Sequence, residues 1–232
     1  MADKKAVVLL SGGVDSATTL AITAAQGYSV NALTFNYGQR HMRELISAKD
    51  LANYFKISKH EIIKLDFKKI SNSALTNPEQ EIPENRSVDE LSKDIPTTYV
   101  PARNIIMLSY ALAWAETIGA EAIFIGANAI DYSGYPDCRP EFMTAFEQMA
   151  VLGTKAGVEG KTIKIKYPLI NMTKAEIIKR GSELGVPFNL TWSCYKGGAK
   201  ACGKCDSCQL RLKGFSEAGL KDTIEYEEFK NV

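Results

Sequence analysis

The sequence has almost no net charge: 28 Lys plus Arg stand against 27 Asp plus Glu, leaving +1. No global field is available to steer the chain onto nucleic acid or an acidic membrane surface, so only a local basic patch could do so. Long apolar runs are also lacking. The longest uncharged stretch, Ser16 to Gln39, contains Gln26, Gly27, Asn31 and Asn36 and reads as helix, turn and strand. A spanning helix needs about 20 predominantly apolar residues in a row. Near the N-terminus the apolar stretch is confined to Ala6–Leu10, shorter than the apolar region of a signal peptide. A cytoplasmic protein without a membrane partner is expected. Internal repeats and low-complexity tracts are missing as well.

What is present is ordinary globular material. The 232 residues are 45% hydrophobic and 24% charged, close to the average for folded domains and unlike a disordered chain. A chain of this length buries roughly 70–75% of its unfolded surface, enough for one domain or one domain with a small appendage.

Short apolar runs alternate with helical periodicity. Ala6–Leu10, Val30–Tyr37, His60–Asp66, Ala122–Ala127 and Thr162–Leu169 read as strands. Helices are expected over about 16–26, 40–55, 101–118, 140–152 and 173–184. Pro101 suits a first helical turn, Gly27 and Gly185 suit helix ends, and Thr173 with Glu176 makes a capping-box pattern. The alternation predicts a doubly wound α/β fold with a mostly parallel sheet. Residues 68–98, with Pro78, Pro83 and Pro96 and few apolar side chains, read as a flexible insertion, either exposed or a lid over a site.

Leu10-Ser11-Gly12-Gly13-Val14-Asp15-Ser16-Ala17 joins the first strand to the first helix. Glycines there let several N–H groups converge, and the helix N-terminus adds positive potential, so the loop suits a phosphate. There is no lysine of a Walker A loop and no G-x-G-x-x-G. A plain turn capped by Ser11 or Asp15 is the bland alternative.

Four of the five cysteines fall late: Cys194, then Cys202, Cys205 and Cys208. In a reducing cytosol such clusters hold metal, and the spacing suits one tetrahedral zinc with a closed, structural shell. An iron–sulfur cluster, a redox dithiol and unliganded core cysteines are the rivals. Lys196, Lys200, Lys204, Arg211 and Lys213 crowd the same stretch, where Asp206 is the only acid before Lys213. This excess would offset thiolate charge or touch RNA.

Two middle segments are rich in functional groups: Thr98–Asn104, with Tyr99, Arg103 and Asn104, and Gly126–Phe142, with Asp131, Tyr132, Tyr135, Asp137, Cys138, Arg139 and Glu141. The carboxylates could hold magnesium or a base edge, the arginines could grip phosphate or carboxylate, and the tyrosines could stack on a flat ring. Cys138 is either packing or a nucleophile. Histidine is scarce. His60 reads as incidental, whereas His41, with Glu44 three residues on, either starts a helix or contacts a substrate.

The Ser-Gly-Gly-Val-Asp-Ser loop resembles that of the N-type ATP pyrophosphatases, also called PP-loop enzymes. With NYGQRH at 36–41, TYVPARN at 98–104, GANAIDYSGYPDCRPEF at 126–142, TWSCYKGG at 191–198 and CGKCDSC at 202–208, the chain resembles the 7-cyano-7-deazaguanine (preQ0) synthase family over nearly its whole length. The resemblance implies an adenine nucleotide alpha hydrolase-like domain at 1–190 and a zinc-binding helical segment at 191–232. It implies an ATP-dependent ligase of queuosine biosynthesis acting on 7-carboxy-7-deazaguanine and ammonia, with Mg2+ on ATP, one structural Zn2+ per subunit and a homodimer. By carry-over, Leu10 to Ala17 surround the nucleotide, with Asp15, Ser16 and Arg139 in the chemistry. Tyr99, Arg103, Asn104, Asp131, Tyr132, Arg139 and Glu141 are expected at the deazaguanine, and Cys194, Cys202, Cys205 and Cys208 on zinc. A tRNA-thiolating PP-loop enzyme and a zinc-ribbon nucleic-acid-binding module are the alternatives, the first needing a broad basic face and a redox cysteine pair.

Overall fold

The computed structural model describes residues 4–86, 95–130 and 135–227. Five strands form one parallel sheet in the order β3-β2-β1-β4-β5. They are β1 (Lys5–Leu9), β2 (Ser29–Asn36), β3 (Lys59–Lys64), β4 (Ala122–Phe124) and β5 (Lys164–Lys166). In the central strand Val7 sits between Asn31 of β2 and Ile123 of β4. Ala6, Val7 and Val8 are completely buried, as a strand covered on both faces requires.

Alternate residues of β1 feed two cores. Ala6, Val8 and Leu10 pack with α1 (Val14–Ala25), α2 (Arg43–Tyr54), α6 (Lys174–Glu183) and α7 (Asp206–Ala218), through residues such as Leu20, Leu51, Ile177 and Phe215. Val7 and Leu9 face α3 (Arg103–Ile118) and α4 (Pro140–Gly153), through Leu108, Leu112, Met143 and Phe146. A four-residue helix, α5 (Lys155–Val158), precedes β5. The doubly wound parallel architecture is the one expected from the alternation.

Local signals acted where they were read. Thr173 and Glu176 form the reciprocal capping box at α6. The N–H of Gly27 bonds to Ala24 O and ends α1. Other boundaries shifted. The strand expected over Ala122–Ala127 ends at Phe124, because past Ile125, whose N–H still bonds to Lys166 O at 2.9 Å, the chain leaves the sheet for the loop above it. The strand expected over Thr162–Leu169 is only Lys164–Lys166, an edge strand paired on one side. Pro101 does not occupy a first helical turn. Ala102 intervenes in the left-handed region at φ 55°, and α3 starts at Arg103.

The described part of 68–98 is more tightly held than its composition suggests. Ser73, Ala74, Leu75 and Thr76 are buried, and Ala74 N–H bonds to Thr97 O at 2.9 Å. Local bonds satisfy its polar atoms, as where Ser73 Oγ accepts from Leu75 N–H. Ile82 joins the core around the late cysteines. The segment from residue 191 onward also shares the main core. Phe215 of α7 packs in the same cluster as Ala6 and Val8, and α7 lies so close to α6 that a Cβ on Gly214 would fall 2.3 Å from Lys174 Cγ. Among the described residues no helix is long and apolar enough to cross a membrane.

Phe124 is wholly buried beside Tyr28, ring centroids 5.3 Å apart. Phe124→Ala is expected to destabilise the fold by about 3–5 kcal/mol in urea unfolding, with the slope unchanged.

Candidate active site

The chain runs outward from β1 to β3 on one side, then returns to place β4 on the other. The strand order therefore reverses between β1 and β4, and the carboxyl ends of those strands open the crevice where α/β sheets bind ligands. A cavity of about 230 Å³ occupies that position. Leu10, Ser11, Gly13, Val14, Asp15 and Ser16 form one side, and Gly126, Ala127 and Asn128 follow from β4.

The loop is internally braced. Ser16 Oγ accepts from Ser11 N–H at 3.2 Å and donates to Gly13 O at 3.0 Å, while Ser11 Oγ accepts from Gly13 N–H at 3.3 Å. Gly12 has φ 90°, and a Cβ there would lie 2.4 Å from Glu44 O, so only glycine fits between the loop and α2. Gly12 O accepts from Trp192 N–H at 2.9 Å. Together these contacts hold the N-terminus of α1 toward the cavity, where an anion is favoured. Asp15 brings a negative charge into that setting. Lys174 offsets it, with Nζ 2.7 and 2.8 Å from the two carboxylate oxygens. Lys174 also lines the cavity. Nothing in the sequence separated it from an ordinary helix lysine; its partner lies 159 positions away.

The cavity is also lined by Tyr37, Glu44, Arg103, Tyr135, Trp192 and Tyr195. The Arg103 guanidinium sits 5.7 Å from the Tyr37 ring centroid. Burial pushes the Tyr37 hydroxyl up to about 12, with Glu44 adding and Arg103 opposing. Burial also pushes the Glu44 carboxyl up to about 7, against the pull of Arg103.

Of the other expected site residues, Arg103 and Asn104 line the cavity. Asn104 is held at its edge, its amide donating to Asp137 O at 3.2 Å and Cys138 Sγ at 3.3 Å. Tyr99 stands behind the wall, 5.8 Å from Tyr135, and its hydroxyl accepts from Ala102 N–H. Arg139, the residue capping α4, and Glu141 are exposed and are not among the lining residues. Asp131 and Tyr132 lie outside the described residues. Asp137 does not present a free carboxylate for magnesium or a base edge: it is buried and accepts from Asn104 N–H at 3.0 Å at the start of α3. Gly12 and Ala17 support the loop from behind, Ala17 being fully buried. His41 lies against Gly197 and is not a lining residue. His60 does have a role in packing: its Nε2 is 2.7 Å from Thr34 Oγ1, which donates to Leu10 O.

Cys194, Cys202, Cys205 and Cys208 are buried, with their sulfur atoms all within 4.8 Å of one another. Cys202 and Cys208 Sγ stand 3.9 Å apart, close to the roughly 3.8 Å edge of a tetrahedron with metal–sulfur bonds of about 2.3 Å. The sulfur of Cys194 accepts from Cys202 N–H, and that of Cys202 from the N–H groups of Lys204 and Cys205, at 3.3–3.4 Å. Backbone N–H groups turned onto sulfur are the surroundings thiolate ligands need. The set could hold one metal ion.

The basic residues around it are not a free cationic face. Lys196 pairs with Glu84, Lys200 with Glu225 and Lys213 with Glu217. Arg211 is almost wholly buried and bonds to both oxygens of Asp222 at 2.8 and 2.9 Å. Counting acids only within the cysteine stretch missed these partners.

With a glycine-rich loop at the reversal point of a parallel sheet and a four-thiol centre packed beside it, the chain has the fold of the PP-loop, adenine nucleotide alpha hydrolase-like class. In fold the chain resembles an NMN synthetase from Francisella tularensis at a TM-score of 0.50 and 16% identity, over 96% of this chain and 80% of that one. Within that class it belongs to the family described as "Queuosine biosynthesis protein QueC", which matches residues 5–219. A protein named 7-cyano-7-deazaguanine synthase from Acetivibrio thermocellus is 57% identical over 97% of this chain and 99% of its own length. One of the same name from Thermoplasma acidophilum is 56% identical over 99% of this chain and 94% of its own.

Cys138 lines the cavity, but burial pushes its thiol up to about 12, with Asp137 adding and Arg103 and Asn104 opposing. A thiol so rarely ionised is a poor nucleophile. Cys138 is expected to stay unalkylated by iodoacetamide at pH 8 in folded protein and to react on unfolding, as peptide mass mapping would show.

Proposed function

We propose that this chain is an ATP-dependent carbon–nitrogen ligase that converts 7-carboxy-7-deazaguanine and ammonia into 7-cyano-7-deazaguanine for queuosine biosynthesis. The observation that carries the reading is an anion-binding loop opening directly onto a cavity walled by aromatic rings and an arginine, in a member of the QueC family.

A carboxylate is a poor electrophile because its leaving group is oxide. Attack of the substrate carboxylate on the α-phosphorus of ATP forms an acyl adenylate and releases pyrophosphate. Ammonia then displaces AMP to give the amide. Adenylation of the amide oxygen by a second ATP, with loss of the nitrogen-bound protons and AMP, leaves the nitrile.

In this scheme Ser11, Gly12, Gly13, Asp15 and Ser16 hold the phosphates at the start of α1, where backbone N–H groups face developing charge. Lys174 keeps Asp15 from repelling them. Arg103 meets the substrate carboxylate, with Tyr37 and Asn104 beside it. Tyr99 backs the wall at Tyr135, and Asp131, Tyr132, Arg139 and Glu141 are assigned to the substrate by the family resemblance alone. Magnesium supplies charge neutralisation on the phosphates.

The four buried cysteines hold zinc, whose closed thiolate shell is structural. All five cysteines are buried thiols, which disfavours the exposed redox pair that tRNA thiolation needs. By the same family resemblance the active form is a cytoplasmic homodimer using free ammonia.

Incubation of purified protein with ATP, magnesium, ammonium and 7-carboxy-7-deazaguanine is expected to yield the nitrile by mass spectrometry, with the amide as a transient. AMP and pyrophosphate should accumulate; ADP as the only nucleotide product would overturn the adenylation scheme. Elemental analysis is expected to find one zinc per chain, and less than about half an equivalent would count against the closed four-thiolate site.

A further inference from the structure

Glu44 stands out in the cavity. It belongs to the first turn of α2, directly beneath the phosphate loop, with its backbone oxygen against Gly12. Its side chain is partly buried and lines the cavity. Among the described residues its carboxylate accepts no hydrogen bond and makes no ion pair. The surrounding lining residues are Tyr37, Arg103 and Trp192. Arg103 acts on Glu44 through its field without closing a salt bridge. A partly desolvated carboxylate facing a cavity without a donor is costly unless a ligand supplies one.

We propose that Glu44 is the specificity-determining residue for the deazaguanine ring, accepting hydrogen bonds from its N1–H and 2-amino groups. This rests on the activity proposed above. The chemistry of the two ring systems in the reaction distinguishes them. The lactam edge of a guanine-like ring presents two adjacent donors, which match the two oxygens of one carboxylate. The corresponding edge of adenine presents a donor beside the lone pair of N1, which a carboxylate oxygen repels. Opposite charges at Glu44 and Arg103 also complement a substrate with donors on one side and an anionic carboxylate on the other.

The test compares 7-carboxy-7-deazaguanine with its 2-deamino counterpart, 7-carboxy-7-deazahypoxanthine, in wild type, Glu44→Gln and Glu44→Ala. A site built to bond a substrate N–H rejects the analogue lacking it strongly, so wild-type kcat/KM should favour the 2-amino compound by about 100-fold or more. In Glu44→Ala that preference should fall below about fivefold, because the 2-amino compound loses two bonds to the carboxylate whereas the analogue, which keeps only N1–H, loses one and falls by less. Glu44→Gln keeps one acceptor and should fall between. The KM for ATP and the metal content should be unchanged.

Equal loss on both compounds, no preference in the wild type, or a raised KM for ATP would each overturn the assignment of Glu44. Failure of the wild type to convert either compound would instead overturn the reading of function on which it rests.

Discussion

The convergence of four buried sulfur atoms on one point constrains far more than the end of the chain. Trp192, Ser193, Tyr195, Ser207 and Arg211 all line the active-site cavity, and all lie within a few positions of a cysteine of the centre. Trp192 N–H reaches Gly12 O, and its indole N–H reaches Cys194 O at 2.9 Å. Holding the sulfurs together therefore also sets that part of the cavity wall. The same centre anchors the earlier segment, where Ile82 packs among the cysteines, Asn85 N–H bonds to Lys204 O and Arg86 pairs with Asp206. The four-thiol centre thus shapes the cavity without lining it.

The electrostatics of the cavity follow from its position at the head of α1. The helix terminus favours anions at the loop, and Lys174 neutralises Asp15, which would otherwise repel them. The rest of the lining holds the Arg103 guanidinium and the Glu44 carboxyl among aromatic rings. The two ends thus attract different partners, one polyanionic and one flat with mixed polarity. That division suits a reaction in which a nucleotide phosphate and a heteroaromatic carboxylate must meet in one place.

Local grammar made much of this legible in the sequence. The glycines and serines of the loop act within six positions, the capping box at Thr173 within three and the cysteine spacing within a short stretch, so each carries its own signal. Lys174, Glu44 and Arg211 carry none. Lys174 reads as a residue just inside a helix cap, Glu44 as a favourable charge in a first turn and Arg211 as part of a basic run. Their meaning comes from partners or cavities brought together by the fold. The burial of Ser73–Thr76 was hidden for the opposite reason: small polar residues can fill an interior when they bond to one another. Arg139 and Glu141 are exposed at the start of α4 and are not among the residues lining the cavity.

The hydrogen bond from Trp192 to Gly12 joins nearly opposite ends of the chain. The central strand and the glycine-rich loop after it are made long before the residue that braces the loop. Strand β4, on the other side of the loop, also arrives only after the chain has passed its midpoint. Contacts so distant in sequence form late and slowly. A nascent chain therefore carries the phosphate-binding motif long before it has the pocket around it. The cavity is therefore complete only once segments far apart in the chain have met.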